Sequence, residues 1–161
     1  MEKTPLATGL IFVAAIGSGI VAGIFFAFSS FVMAALARIP PAQGAAAMNS
    51  ISVTVINPGF MSVFIGTALL CLINGVRSLF TWHQGGSKFI LAASLVYLIG
   101  TFAVTIFFNV PLNNRLASTT DPAQTIAFWP SYLAAWNIWN HVRTVAAALS
   151  AVLFTWGLCQ R

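Results

Sequence analysis

The charged residues of this chain are so far apart that the stretches between them decide what it can fold into. A helix needs about 20 consecutive apolar residues to cross the hydrocarbon core of a bilayer. Four uncharged stretches reach or approach that length, and they run from Lys3 to Arg38, Arg38 to Arg77, Lys88 to Arg115 and Arg143 to Arg161. The sequence therefore predicts four transmembrane helices.

Composition excludes the other large classes of protein. Only 6 % of the 161 residues are charged and 59 % are apolar, whereas about 25 % of an ordinary soluble domain is charged. So few charged groups could not cover a water-soluble globule, and disorder requires low hydrophobicity with high charge. The net charge of +5 is carried by single residues without a basic run, which makes nucleic acid a poor candidate partner. We expect one integral membrane domain over residues 1–161, with the lipid bilayer as its main partner.

Prolines and asparagines place the helix boundaries. The pattern predicts spans over residues 6–37, 58–80 and 88–110 and from about 130 to 159, with a short interfacial helix over 42–56. Asn57 is a predicted N-cap, followed by Pro58 at the first helical position. Pro111 is predicted to end the third span and to leave 112–127 as a polar loop. The predicted fold class is all-α, a four-transmembrane-helix bundle with a short interfacial helix between helices one and two.

An even number of spans places both termini on one side of the membrane, here called the terminal side. Its basic residues are Lys3, Arg77, Lys88 and Arg161, and those of the opposite, distal side are Arg38, Arg115 and Arg143. Because Lys and Arg accumulate on the cytoplasmic side, this count favours cytoplasmic termini for a multi-pass membrane protein. The first span is longer than the apolar core of about 7–15 residues in a signal peptide, so we expect it to be retained.

Polar residues concentrate where the third and fourth helices reach the distal side. The fourth helix begins there with Trp136, Asn137, Trp139, Asn140, His141, Arg143 and Thr144. The third helix presents a facing polar stripe of Ser94, Tyr97, Thr101, Thr105 and Asn109, followed by Asn113. Ionisable residues at the edge of a span indicate a functional site. The alternative is that the tryptophans form an interfacial belt and the asparagines cap helices.

The scarcity of acidic residues and histidines disfavours several kinds of reaction and site. Glu2 and Asp121 are the only acidic residues and neither lies in a span, which disfavours a proton-coupled exporter because such transporters use intramembrane carboxylates. His83 and His141 fall on opposite sides, so one chain cannot assemble a histidine metal site, and we expect no metal and no other cofactor. A haem on one histidine, or a metal shared across an oligomer, stays open. His141 is the one side chain of the cluster suited to general-base catalysis near neutral pH.

Five segments resemble the anthrone oxygenase-like family of small four-helix membrane proteins. They are residues 22–29 (AGIFFAFS), 44–49 (GAAAMN), 57–61 (NPGFM), 108–113 (FNVPLN) and 136–144 (WNIWNHVRT). The similarity covers nearly the whole chain, and the last two segments are quite specific as a pair. Fungal members of the family are associated with the oxidation of anthrones to anthraquinones without an evident organic cofactor. The resemblance therefore implies, as an expectation, a similar reaction for this chain.

The cluster and the resemblance together predict a cofactor-independent monooxygenase that uses O2 on a lipophilic, anthrone-like carbon acid. His141 is the expected base, more central than Arg143 because the two side chains diverge by about 200° on a helix. Asn109, Asn113 and Arg143 are expected to donate hydrogen bonds to the resulting enolate. The expected substrate-binding residues are Trp136, Asn137, Trp139, Asn140, Asn57, Met61 and Phe26. The alternative is a non-catalytic membrane protein that binds a lipid or hydrophobic ligand or scaffolds a partner, and either protein could be a homo-oligomer.

Overall fold

The computed structural model describes residues 5–161, and every regular element in that range is a helix. The five helices are α1 (Pro5–Leu36), α2 (Pro41–Thr54), α3 (Pro58–Phe80), α4 (Ser87–Ser118) and α5 (Pro122–Cys159). All except α2 are long and apolar enough to cross a bilayer. The all-α, four-helix prediction is therefore confirmed, while Glu2 and Lys3, used in the charge count, lie outside the described residues.

The four long helices form a ring in which each packs against two neighbours. α1 lies between α3 and α5, and α4 closes the ring between the same two helices. The backbones come closest where small residues meet, so that Gly17 of α1 faces Thr67 of α3 and Gly100 of α4 faces Ala146 of α5. Such contacts are how helices associate in lipid, where no hydrophobic force drives them together.

The third predicted span is too short at its C-terminal end. α4 continues through Pro111 to Ser118, and its two π-helical stretches cover Tyr97–Ala103 and Thr105–Asn109. Pro111 takes the second position of the α-helical segment that follows the second π-helical stretch, and a proline costs least in a first helical turn. The prediction that Pro111 ends the helix is therefore wrong.

The fourth span begins earlier than predicted. Asp121 caps α5 by accepting a hydrogen bond from the Ala123 N–H at 2.9 Å, and Pro122 starts the helix. Pro130, the predicted start, lies inside α5, where membrane helices tolerate proline because neighbouring groups can satisfy the freed carbonyl. The predicted loop over 112–127 is accordingly reduced to a short connection at 119–121.

Because the helices differ in length, a second layer of packed side chains forms on the distal side. α3 has 23 residues, about 35 Å at 1.5 Å per residue, which matches a hydrocarbon core of about 30 Å. α5 has 38 residues, about 57 Å. The distal ends of α1, α4 and α5 pack with α2 around a core of their own, here called the distal cap: Met33, Ala45, Met48, Leu116, Trp129, Tyr132 and Trp136. This cap covers the site described next.

Candidate functional site

A cavity of about 370 Å³ lies between the distal cap and the bundle core, and α1 to α5 all contribute to its wall. Small-molecule sites are usually about 300–1,000 Å³. Its largest apolar lining residues are Phe25, Phe28, Met48, Phe60, Phe64, Phe102 and Trp136, and its polar ones are Ser52, Thr105, Asn109, Asn113 and Arg143. The site therefore combines an apolar container with few polar groups, which is the usual design of a site for a lipophilic ligand.

Aromatic rings make up much of the wall. Phe60 stacks on Phe64 with ring centroids 5.6 Å apart, and Phe64 stacks on Phe102 at 5.4 Å. Phe25 meets Phe64 edge-on at 6.3 Å. Because aromatic faces and edges attract other flat rings, this wall suits a planar aromatic ligand.

The guanidinium of Arg143 is the one charged group among the residues that line the cavity. Arg143 is only 4 % exposed. Its Nη2 donates to Asn140 Oδ1 at 2.7 Å and its Nη1 donates to Thr105 Oγ1 at 3.2 Å. Its central carbon lies 4.1 Å from the Phe25 ring centroid and 5.1 Å from that of Trp136. Since a guanidinium carries five N–H groups, most of its donors have no oxygen partner within residues 5–161.

Arg143 also has no acidic partner in the part of the chain that the structure describes. Asp121 is the only acidic residue there, and it lies about 33 Å away along α5 at 1.5 Å per residue. A buried charge is costly unless an opposite charge or hydrogen bonds compensate it. The cavity wall is therefore electrostatically prepared for an anion or for negative charge that develops during a reaction.

Two amides also line the cavity. Asn113 Oδ1 accepts hydrogen bonds from the Tyr132 hydroxyl at 2.8 Å and from Trp136 Nε1 at 2.9 Å. These two donors fix the amide so that the Asn113 NH2 group remains as a donor. Asn109 is buried and donates through Nδ2 to the Trp136 carbonyl at 3.2 Å, which leaves a second N–H on the same nitrogen. Both predicted amides thus reach the cavity, and each has a donor to offer.

His141 lies on the outer face of α5 and not at the cavity wall. Its Nδ1 is 2.9 Å from Ser29 Oγ, which accepts a hydrogen bond from Asn140 Nδ2 at 2.7 Å. The structure therefore reverses the expected arrangement, because Arg143 faces the cavity and His141 flanks it. Asn140 lies three positions before Arg143 and shares its face, whereas His141 points about 200° away. His141 reaches the cavity only through the chain Ser29–Asn140–Arg143.

The residues predicted from the first three helices end in different places. Met61 lines the cavity. Asn57 caps α3, as predicted, by accepting a hydrogen bond from the Phe60 N–H at 3.0 Å. Phe26 is exposed on the outside of α1, and its neighbour Phe25 is the residue that faces the cavity.

Of the residues predicted on α5, some lie at the cavity and others do not. Trp136 lines the cavity and Asn140 orients Arg143. Trp139 stacks instead on Phe108 of α4 with centroids 3.7 Å apart, and Asn137 is half-buried. Neither Trp139 nor Asn137 is among the described residues that form the wall.

Ser52 and the five phenylalanines of the wall were not predicted from the sequence as site residues. Phe60 and Phe64 are four residues apart, and Phe25 and Phe28 are three apart, so each pair shares a helix face. That spacing was a usable signal, although phenylalanines are frequent throughout these apolar helices. Within residues 5–161 no three His, Cys, Asp or Glu side chains lie close enough to share a metal ion.

Comparison with known proteins relates this site to a family. The family model described as anthrone oxygenase matches residues 60–153, which is more than half of the chain. The matched range contains Asn109, Asn113, Trp136, Asn140 and Arg143, while α2 and α1 with Phe25 lie before it. No curated protein and no solved structure matches the chain.

Proposed function

The chain belongs to the anthrone oxygenase family, and on that premise we propose that it is a membrane-embedded oxygenase acting on a lipophilic aromatic carbon acid of the anthrone type. One observation carries the proposal. Arg143, a buried cation without an acidic partner among residues 5–161, lies at the wall of a cavity lined with aromatic rings. That combination suits a flat, apolar molecule which becomes negatively charged on the way to product.

An anthrone-type substrate is flat and apolar, and it becomes negatively charged during the reaction. Transfer of a proton from its methylene carbon to water or hydroxide gives an anion that is aromatic throughout and carries its charge mainly on oxygen. The free N–H groups of Arg143, with the amide donors of Asn109 and Asn113, would bind that oxygen. A hydrogen bond to a charged group contributes about 1.5–3 kcal/mol, and losing one donor to an oxyanion typically costs about 10²–10³ in rate. The phenylalanine wall would hold the ring system.

Oxidation then needs only O2 as co-substrate. The substrate anion transfers an electron to O2, and the two radicals combine into a peroxide that takes up one proton. Loss of the remaining proton from the same carbon, with departure of hydroxide from the O–O bond, leaves a carbonyl group. One oxygen atom stays in the product and the other leaves as water with the two methylene hydrogens.

We assign His141 a positioning role, because it acts on Arg143 through Ser29 and Asn140 and does not line the cavity. His141→Gln retains a group that can hydrogen-bond to Ser29 and should keep most of the turnover. His141→Ala removes that bond and should lower kcat more than it raises KM, by about tenfold at most. Loss of all turnover in the Gln variant would instead establish the general-base hypothesis.

The main experiment measures turnover in lipid nanodiscs. Anthrone is added, O2 uptake and anthraquinone formation are followed together, and the rate in protein-free discs is subtracted. Arg143→Met should lower the rate by about 10²–10³-fold, whereas Arg38→Gln, an exposed residue on the same side, should not change it. Equal rates in the Arg143→Met variant and the wild type would refute the proposal.

The apolar character of the cavity also supports a second function, which is binding of a neutral hydrophobic ligand without turnover. Such a binder does not need a cation. Two measurements distinguish the functions. In a protein that only binds, Arg143→Met should leave the affinity for the neutral ligand unchanged, and no protein-dependent O2 uptake should occur.

A further inference from the structure

The cavity is closed toward the aqueous space on the distal side. The distal cap lies over it with Met48, Leu116, Trp129 and Tyr132 all buried. The hydrogen bonds from Tyr132 and Trp136 to Asn113 tie α5 to α4 across this end. A ligand of three fused rings could not pass here without disrupting a packed core.

The cavity is open on a different side. Four of its lining residues, Ile56, Ile65, Ile106 and Val110, remain 41–71 % exposed, whereas the other apolar wall residues are buried or half-buried. Ile56 lies in the connection before α3, and Ile65 lies in the first turns of α3. Ile106 and Val110 lie in α4. We call these four residues the rim.

The rim exists because α3 and α4 separate toward the distal side. Their packed contact includes the Phe64–Phe102 stack and the hydrogen bond from the Tyr97 hydroxyl to the Phe64 carbonyl at 3.2 Å. α3 packs on the part of α4 between Ser87 and Ala103 and makes few contacts with the part beyond it. On the distal side of the Phe64–Phe102 stack, α3 and α4 therefore leave a gap that leads into the cavity.

The position of the gap along α3 places it inside the hydrocarbon layer. α3 is about as long as the hydrocarbon core is thick, and Ile65 lies about 10 Å from its distal end at 1.5 Å per residue. All four rim residues are apolar. At Ile65, we therefore infer that the gap faces lipid chains and not water.

We propose that the rim is a lateral portal through which the ligand of this cavity enters from, and leaves to, the bilayer. The inference deepens the proposed function, on which its choice of ligand rests, because it restricts the substrate to flat aromatic molecules that dissolve in lipid. A portal affects the rates of entry and exit without forming the bound state. Narrowing it should therefore slow association and dissociation equally and leave the affinity unchanged.

The test uses a fluorescent hydroxyanthraquinone, which this reaction cannot oxidise further, added to the full-length protein in nanodiscs and followed by stopped flow. Ile65→Trp should lower both the association and the dissociation rate constant by about tenfold, so that both fall together and Kd changes much less than either of them. Leu69→Trp is the matched control, one turn further along α3 and also exposed, but outside the cavity wall, and should change neither rate.

Ile65→Ala widens the opening and should raise both rate constants, a gain that a misfolded variant cannot produce. Unchanged rates in both Ile65 variants, or no binding of the probe by the wild type, would overturn the portal. O2 uptake with anthrone is measured on the same samples. Portal kinetics without O2 uptake would refute the oxygenase alone, and O2 uptake with rates insensitive to Ile65 would refute the portal alone.

Discussion

Replacing Asn140 by aspartate tests whether the cavity depends on an uncompensated cation. Asn140 is fully buried. Its Oδ1 accepts from Arg143 at 2.7 Å, and its Nδ2 donates to the Phe25 carbonyl at 2.8 Å and to Ser29 at 2.7 Å. Aspartate keeps the shape of the side chain and places a carboxylate against the guanidinium, so that Arg143 gains an acidic partner, which no residue in the described range 5–161 provides.

The size of the effect follows from this geometry. Two unit charges about 4 Å apart attract by about 4 kcal/mol at an effective dielectric constant of about 20. The new carboxylate repels a substrate anion at Arg143 by an amount of that order. Because about 1.4 kcal/mol corresponds to a factor of ten, we expect turnover to fall by about 10²–10³-fold.

Stability should respond differently from activity. Asn140→Asp loses the two hydrogen bonds that Nδ2 donates, about 0.5–1.5 kcal/mol each, and sets a carboxylate oxygen against the Phe25 carbonyl, while the new ion pair with Arg143 offsets both costs. Asn140→Ala loses these two bonds and the charge-assisted bond to Arg143, which together amount to about 2.5–6 kcal/mol. Thermal unfolding in nanodiscs should therefore rank the wild type and Asn140→Asp close together and Asn140→Ala well below them.

The assay is anthrone-dependent O2 uptake, with Asn114→Asp as the matched control. Asn114 is exposed on α4 on the same side, so this variant introduces the same charge away from the cavity and should keep wild-type turnover. An Asn140→Asp variant that unfolds like the wild type and turns over at the wild-type rate would refute the reasoning, because the cation would then have no part in the reaction.

Four further predictions address the fold and the site. Both termini should be cytoplasmic, so that reporters at the C-terminus and after Thr120 report opposite sides; the reverse result would overturn the topology. Turnover should survive exhaustive chelation, and elemental analysis should find no stoichiometric iron or copper; loss of activity together with such a metal would disprove cofactor independence. Asn109→Ala should lower turnover by about 10²–10³-fold if it donates to the oxyanion, and an unchanged rate would remove it from the site. Gly17→Ala places a methyl group against Thr67 and should cost about 1–3 kcal/mol in thermal unfolding, whereas Gly19→Ala, with no neighbour within 4 Å, should not.

Properties that depend on local chemistry could be predicted from the sequence. The four spans follow from uncharged stretches long enough for a bilayer, and α3 follows from Asn57, whose side chain caps the helix it precedes. The polar stripe of α4 was also predicted correctly, since Tyr97, Thr101 and Asn109 are buried together. Cavity-lining Asn109, Asn113, Trp136 and Arg143 were recognised because polar and ionisable groups are rare in such helices.

The rotation of each helix was decided only by the tertiary structure. In a soluble protein the polar face of a helix marks the outside, but a membrane helix is apolar on both its lipid face and its packed face. Periodicity therefore could not show that Arg143 faces the cavity and His141 the exterior, or that Phe25 and not Phe26 lines the wall. Those choices depend on where the backbones of neighbouring helices can approach, at contacts such as Gly17 with Thr67. The cavity and its opening between α3 and α4 exist only once five helices of unequal length have packed together, because no single segment of the sequence contains them.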